Sequence, residues 1–142
     1  MNHAGMKDLT PASLRRQWRE AGWYCGESAY TLFARHALAQ PDAPAVLSLH
    51  ERVSYAQLHD ATLRLAAALR TLGVVAGDVV AYQLHNSWRC CAIDLAVAAL
   101  GAVVAPFPPG RGRLDMESLL RRCDARVLLI NPHQGELDMA DM

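Results

Sequence analysis

The sequence predicts an α/β fold, a parallel-type sheet with flanking helices, and three observations carry that expectation. Between residues 45 and 130, apolar runs of strand length alternate with longer segments of helical periodicity, an order that imposes parallel crossovers. The run Val79-Val80-Ala81-Tyr82-Gln83-Leu84 is continuous instead of alternating, the pattern of a strand covered on both faces. Ser54 and Gln57 stand three residues apart ahead of an apolar stripe, the spacing of a capping box at a helix start.

Taken in order, residues 1–28 read as an amino-terminal arm, with Trp18, Trp23 and Tyr24 as anchors onto the body. Leu32, Phe33, His36, Ala37 and Ala39 fit a short helix over Tyr30 to Gln40, which Pro41-Asp42 stops. Ala45 to Leu49 reads as a strand. A helix then starts at Tyr55, with Val53 placed to staple onto Leu58. At 100° per residue its face gathers Tyr55, Leu58, Ala61, Leu65, Leu69 and Leu72 against Asp60, Arg64 and Thr71. Gly73 sits where a left-handed cap is needed.

The turn Ala76-Gly77-Asp78 leads into the strand that begins at Val79. Asn86 or Ser87 is expected to cap a second helix through Leu100, and Gly101 to break it. Ala102 to Phe107 supplies another strand, closed by Pro108-Pro109-Gly110. Asp115 is expected to cap a third helix through about Arg122, and Val127 to Ile130 to form a last strand. Residues 29–130 therefore form the folded body, and the polar, acidic tail 131–142 is expected to leave it.

Composition bounds the function. With 142 residues the chain is sized for one core, since single domains span roughly 100–200 residues. Hydrophobic residues make up 52% and charged residues 20%, which excludes a disordered or fibrous chain. The formal net charge is zero, so no excess of basic side chains argues for nucleic acid or an anionic membrane as partner. No signal peptide is expected at the start. The longest uncharged apolar run, Leu95 to Pro109, is broken by Gly101 and several prolines. A membrane helix needs about 20 apolar residues, so this run reads as helix then strand. Cys25, Cys90, Cys91 and Cys123 lack Cys-x-x-Cys spacing and read as reduced thiols of a cytoplasmic protein.

The order of local motifs resembles the amino-terminal part of the adenylate-forming (AMP-dependent) synthetases and ligases. The similar stretches are Arg52-Val53-Ser54-Tyr55-Ala56-Gln57-Leu58, Leu65-Ala66-Ala67-Ala68-Leu69-Arg70-Thr71-Leu72-Gly73-Val74, and Gly77-Asp78-Val79-Val80-Ala81. Leu84-His85-Asn86-Ser87 and Ala98-Ala99-Leu100-Gly101-Ala102-Val103-Val104-Ala105-Pro106 continue the likeness in register. His85 departs from the proline usual there, and Pro106-Phe107-Pro108-Pro109 is also unusual. Gly22-Trp23-Tyr24 with Gly26-Glu27 is similar to the opening of aryl- or alicyclic-acid ligases.

The resemblance implies an acyl-CoA or aryl-CoA ligase-like activity: a carboxylate and ATP give an acyl-adenylate, which then acylates a thiol such as coenzyme A. The family uses ATP, magnesium and coenzyme A. It also implies that the phosphate loop, the magnesium ligand and the catalytic lysine lie beyond this stretch of sequence. The residues agree: Gly110-Arg111-Gly112-Arg113 has no Ser or Thr beside its glycines, and the one lysine, Lys7, lies in the arm. Phosphoryl transfer needs cradling amides and positioned charge, so the chain is expected to be a partial domain, inactive alone. Its expected partners are the remainder of the ligase or a second copy. The competing readings are a protein-interaction module with a ligase-like fold and no catalysis, and an unrelated small α/β ligand-binding domain.

No catalytic, cofactor-binding or metal residue is therefore assigned. Gly110 to Arg113, with Arg121, Arg122 and Arg126, has the composition of an anion site, but Asp115, Glu117 and Asp124 interleave to give a neutralised surface. Asp94, alone in an apolar helix, is read as facing water or pairing with Arg89 or another arginine instead of acting as a buried acid. His85 is read as a strand-end histidine bonded to backbone instead of a base. His36, His50 and His59 have no ligand spacing.

Overall fold

A computed structural model describes residues 10–24, 26–131, 133–134 and 137–138. Helices α1 (Ala12–Glu20) and α2 (Ala29–Ala39) precede the strand pair β1 (Pro44–Leu47) and β2 (Arg52–Ser54), followed by α3 (Tyr55–Thr71). Then come β3 (Val79–Gln83), α4 (Trp88–Ala99), β4 (Val103–Phe107), α5 (Arg113–Cys123) and β5 (Ala125–Ile130). The two-residue strands β6 (His133–Gln134) and β7 (Leu137–Asp138) pair antiparallel within the polar tail.

The main sheet has the order β4-β3-β5, parallel throughout, with Val80 beside Val104 on one side and Val127 on the other. All five residues of β3 are buried, as the continuous apolar run demanded. Leu69, Val74, Val80, Tyr82, Ile93, Ala96 and Val97 form the core between this strand, α3 and α4.

The start of α3 is fully satisfied. The Ser54 hydroxyl accepts from the Gln57 amide at 3.3 Å and the Gln57 side chain accepts from the Ser54 amide at 2.9 Å. The next two donors, Tyr55 and Ala56, give their N–H groups to the carbonyls of Ala43 and Pro41. The helix thus grows out of the β1–β2 pair, a pairing the sequence reading lacked.

Several local expectations are corrected. The buried face of α3 is Leu58, Thr62, Ala66 and Leu69, while Leu72 caps the helix and is 60% exposed. Thr62 belongs inside because its hydroxyl donates to the Leu58 carbonyl at 2.8 Å, removing the cost of a buried polar group. Asp115 lies in the first turn of α5, whose N-cap is Gly112. Ser87 occupies the N-cap of α4, but its hydroxyl bonds no helix amide and instead lies 4.0 Å from the Cys90 sulfur. Trp18 rests against Tyr24, ring centroids 6.1 Å apart, and Trp23 is 74% exposed, so Trp23 does not anchor the arm.

Gly73 was expected to be glycine for conformational reasons, and it is, at φ +80°. A Cβ there would stand 2.9 Å from Nη2 of Arg126, the far end of a flexible side chain that can move aside. Arg126 reaches across to Asp78, Nε to carboxylate 3.4 Å, and Asp78 also accepts the Val75 amide at 2.9 Å. One buried carboxylate therefore fixes the α3–β3 turn and the start of β5 together.

Candidate functional site

The carboxyl ends of parallel strands are where α/β sheets present ligands, because helix connections diverge there. Two depressions lie at this end. A groove of about 940 Å³ runs between α3, α4 and the ends of β3 and β5. Leu65, Leu84, Ile93 and Leu129 line it, and Arg64, His85 and Arg89 stand at its rim. A second, of about 560 Å³, lies against the ends of β3 and β4, with Tyr82 and His85 beside Phe107 and the three prolines 106, 108 and 109.

Between these, Gln83 organises the backbone. It is fully buried, and its Nε2 donates to the Pro108 carbonyl at 3.1 Å and the Arg111 carbonyl at 3.4 Å. That bond pins the β4–α5 connection over the sheet. Its Oε1 has no hydrogen-bond partner among the described residues.

Charged groups settle into pairs. Arg113 donates to Glu117 at 2.9 Å and Arg121 lies 3.7 Å from the same carboxylate, so hydrogen bonding and the positive charge of Arg113 hold Glu117 below the usual carboxylate range. Arg113 is thereby engaged as the interleaved charges suggested, and Arg126 is tied to Asp78. Asp94 is exposed and, among the described residues, pairs with no arginine. Burial raises its carboxyl, and the Tyr82 hydroxyl opposes that rise. Tyr82 is pushed upward by burial first and by the Asp94 charge second.

The remaining candidates disperse. His85 is exposed, its ring bonds no backbone group among the described residues, and its carbonyl accepts the Cys90 thiol at 3.4 Å. His59 lies 3.3 Å from the Tyr30 hydroxyl, and His36 packs against Tyr55. Cys90, Cys91 and Cys123 are free thiols, buried or half-buried; burial raises the Cys91 thiol. Cys25 lies outside the described residues.

Among the described residues no three His, Cys, Asp or Glu side chains converge on a metal-sized space. At the glycine-arginine segment no hydroxyl stands beside the glycines at 110 and 112, and Arg113 pairs with Glu117. Sequence reasoning missed the groove rim, where Arg89 lies 4.8 Å above the Trp88 ring and the Trp88 indole donates to Glu51 at 3.3 Å. It also missed the Gln83 clamp. Neither has a local spacing signal, because each joins elements distant in sequence.

The model of the AMP-binding enzyme family matches residues 33–141, from α2 through the main sheet. The chain belongs to that family. Phenyloxazoline synthase MbtB of Mycolicibacterium paratuberculosis is 38% identical over 105 residues, 74% of this chain. Nonribosomal peptide synthetase 8 of Aspergillus fumigatus is 42% identical over 91 residues, 64% of this chain. The chain spans only 9% and 1% of these two relatives. The fold is that of the Klebsiella oxytoca NpsA N-terminal subdomain, at TM-score 0.69 and 23% identity, covering 77% of this chain and 29% of that one. VinN shares it at TM-score 0.68 and 24% identity, covering 72% and 27%. In sequence and fold the chain thus corresponds to an amino-terminal portion of that family, as the motif order implied. In the described residues no helix is long and apolar enough to cross a membrane.

Proposed function

We propose that this chain forms the opening α/β layer of an acid-activating domain and requires further polypeptide for catalysis. In that chemistry a carboxylate oxygen attacks the α-phosphorus of ATP, the bond from that phosphorus to the pyrophosphate leaving group breaks, and the acyl-adenylate is passed to a thiol. The family match over residues 33–141 carries this reading. The resemblance of the opening motifs suggested an acyl-CoA or aryl-CoA ligase; relatives named as peptide synthetases favour a synthetase-type unit. The role of the chain's own residues is structural: the Gln83 clamp holds the carboxyl end of the sheet in shape, the Asp78 clamp ties its amino end, and the Ser54 cap fixes the start of α3.

Carboxylate-dependent pyrophosphate exchange and calorimetric titration with magnesium-ATP test it. The 142-residue chain alone is expected to show neither exchange nor saturable binding up to millimolar nucleotide. One-to-one binding that disappears in Arg111→Ala/Arg113→Ala would overturn the reading and make the glycine-arginine segment a nucleotide site.

A further inference from the structure

Between α5 and the sheet lies a cavity of about 120 Å³, separate from the two depressions described above. Its walls are apolar: Met116 and Leu120 come from α5, Leu128 and Ile130 from β5. Gln83, beside Ile130 in the ladder, closes it from β3. This glutamine is fully buried. Its Nε2 is committed to the carbonyls of Pro108 and Arg111, which fixes the amide's orientation and leaves Oε1 an acceptor with no hydrogen-bond partner among the described residues. A buried acceptor without a donor is costly, and aliphatic walls offer it none. Where the cavity meets solvent, Arg113 and Glu117 pair at 2.9 Å, so their charges offset each other.

We propose that this cavity is a binding site for a compact neutral alcohol, whose hydroxyl donates to Gln83 Oε1 and whose carbon body lies against Met116, Leu120 and Leu128. Size sets the body: a cavity of about 150 Å³ admits benzene, so this one holds about five or six heavy atoms. The amide sets the head group. A carboxylate would set negative oxygens against Oε1 and Glu117, and an ammonium would shed its water among apolar walls next to Arg113. A hydrocarbon of the same shape would fill the space but leave Oε1 unpaired. Because the same amide pins the β4–α5 connection, the bound alcohol also steadies the backbone at Pro108 and Arg111. The site goes beyond the acid-activation reading and does not depend on it.

Two probes of one shape test this, 2-methylpropan-1-ol and 1-chloro-2-methylpropane, of which the second lacks the hydroxyl proton. Each is titrated into the 142-residue chain while the methyl resonances of Met116, Leu120, Leu128 and Ile130 are followed. Titrated to about 10 mM, the alcohol is expected to saturate with a Kd of about 1 mM, within the affinity open to about five heavy atoms. The chloride, although the more apolar probe, is expected to bind about ten-fold more weakly. Leu120→Phe, which fills the cavity and keeps the Gln83 bonds, is expected to abolish saturation. Gln83→Met keeps nearly the same volume without the acceptor and is expected to erase the preference between the probes; should it fail to fold, Leu120→Phe and the probe pair still decide. Equal binding of the two probes to the wild-type chain overturns the proposal. So do saturable shifts at Leu65 or Ile93, in the groove between α3 and α4, with none at Met116. No saturation by the alcohol overturns it as well and assigns Gln83 Oε1 to ordered water alone.

Discussion

The flank of the sheet under α3 and α4 and the flank along β5 share one strand neighbour, yet they are finished to different degrees. Under the helices, Leu69, Val80, Ala96 and Val97 are each no more than 1% exposed. Along β5, Leu128 is 36% exposed and burial alternates. The difference teaches that burial here follows from how many layers meet a strand, not from how apolar the strand is, since β5 is as aliphatic as β3.

The most damaging way to probe the closed side is Leu69→Ala, expected to cost about 3 kcal/mol because close-packed surroundings refill a cavity poorly. Urea denaturation gives the number, and a loss below about 1 kcal/mol would mean the core is looser than its exposure implies. Next in size is Ser54→Ala, expected to cost about 1 kcal/mol because the Gln57 amide loses its acceptor. An unchanged midpoint would show that Tyr55 and Ala56, bonded to β1-side carbonyls, suffice to start α3. Leu128→Ala on the open side is expected to cost about 1 kcal/mol, well below Leu69→Ala, since 36% of its surface stays in water. If it matched Leu69→Ala, the contrast between the flanks would collapse.

The smallest effect concerns pH. Tyr82 has its folded-state pKa raised above its usual value near 10.0, so its contribution is complete below that pH and is lost as pH climbs past it. Tyr82→Phe is therefore expected to flatten the decline in thermal midpoint above about pH 10. Asp94 obeys the same sign at lower pH: its carboxyl is raised, so the fold favours the protonated form and stability falls slightly as that group ionises. Asp94→Asn should remove that slope.

Much of the fold was legible because its signals were local. The Ser54–Gln57 box, the continuous strand at Val79 and the left-handed Gly73 each declare themselves within a few residues. What stayed hidden depends on bonds and pairings that apolar periodicity does not record. β2 is three residues long and exists through its antiparallel pairing with β1. Thr62 reads as a surface residue until its bond to Leu58 is seen, and Leu72 reads as core although it lies at the cap. The candidate site was harder still, because Gln83 reaches Arg111 and Trp88 reaches Glu51 across turns that no periodicity records.

The strand order β4-β3-β5 also sets a timetable for synthesis. The central strand is made first, and its two neighbours arrive only after α4 and then α5 have been translated. At roughly 5–20 residues per second, Val79 to Gln83 spends seconds on the ribosome before Ile130 emerges to complete the ladder. During that interval α3 and then α4 shelter one face, while the other waits for α5. The most buried segment of the finished protein is thus its most vulnerable segment at birth, and slowing the ribosome between Gln83 and Ile130 lengthens its exposure to chaperones and proteases.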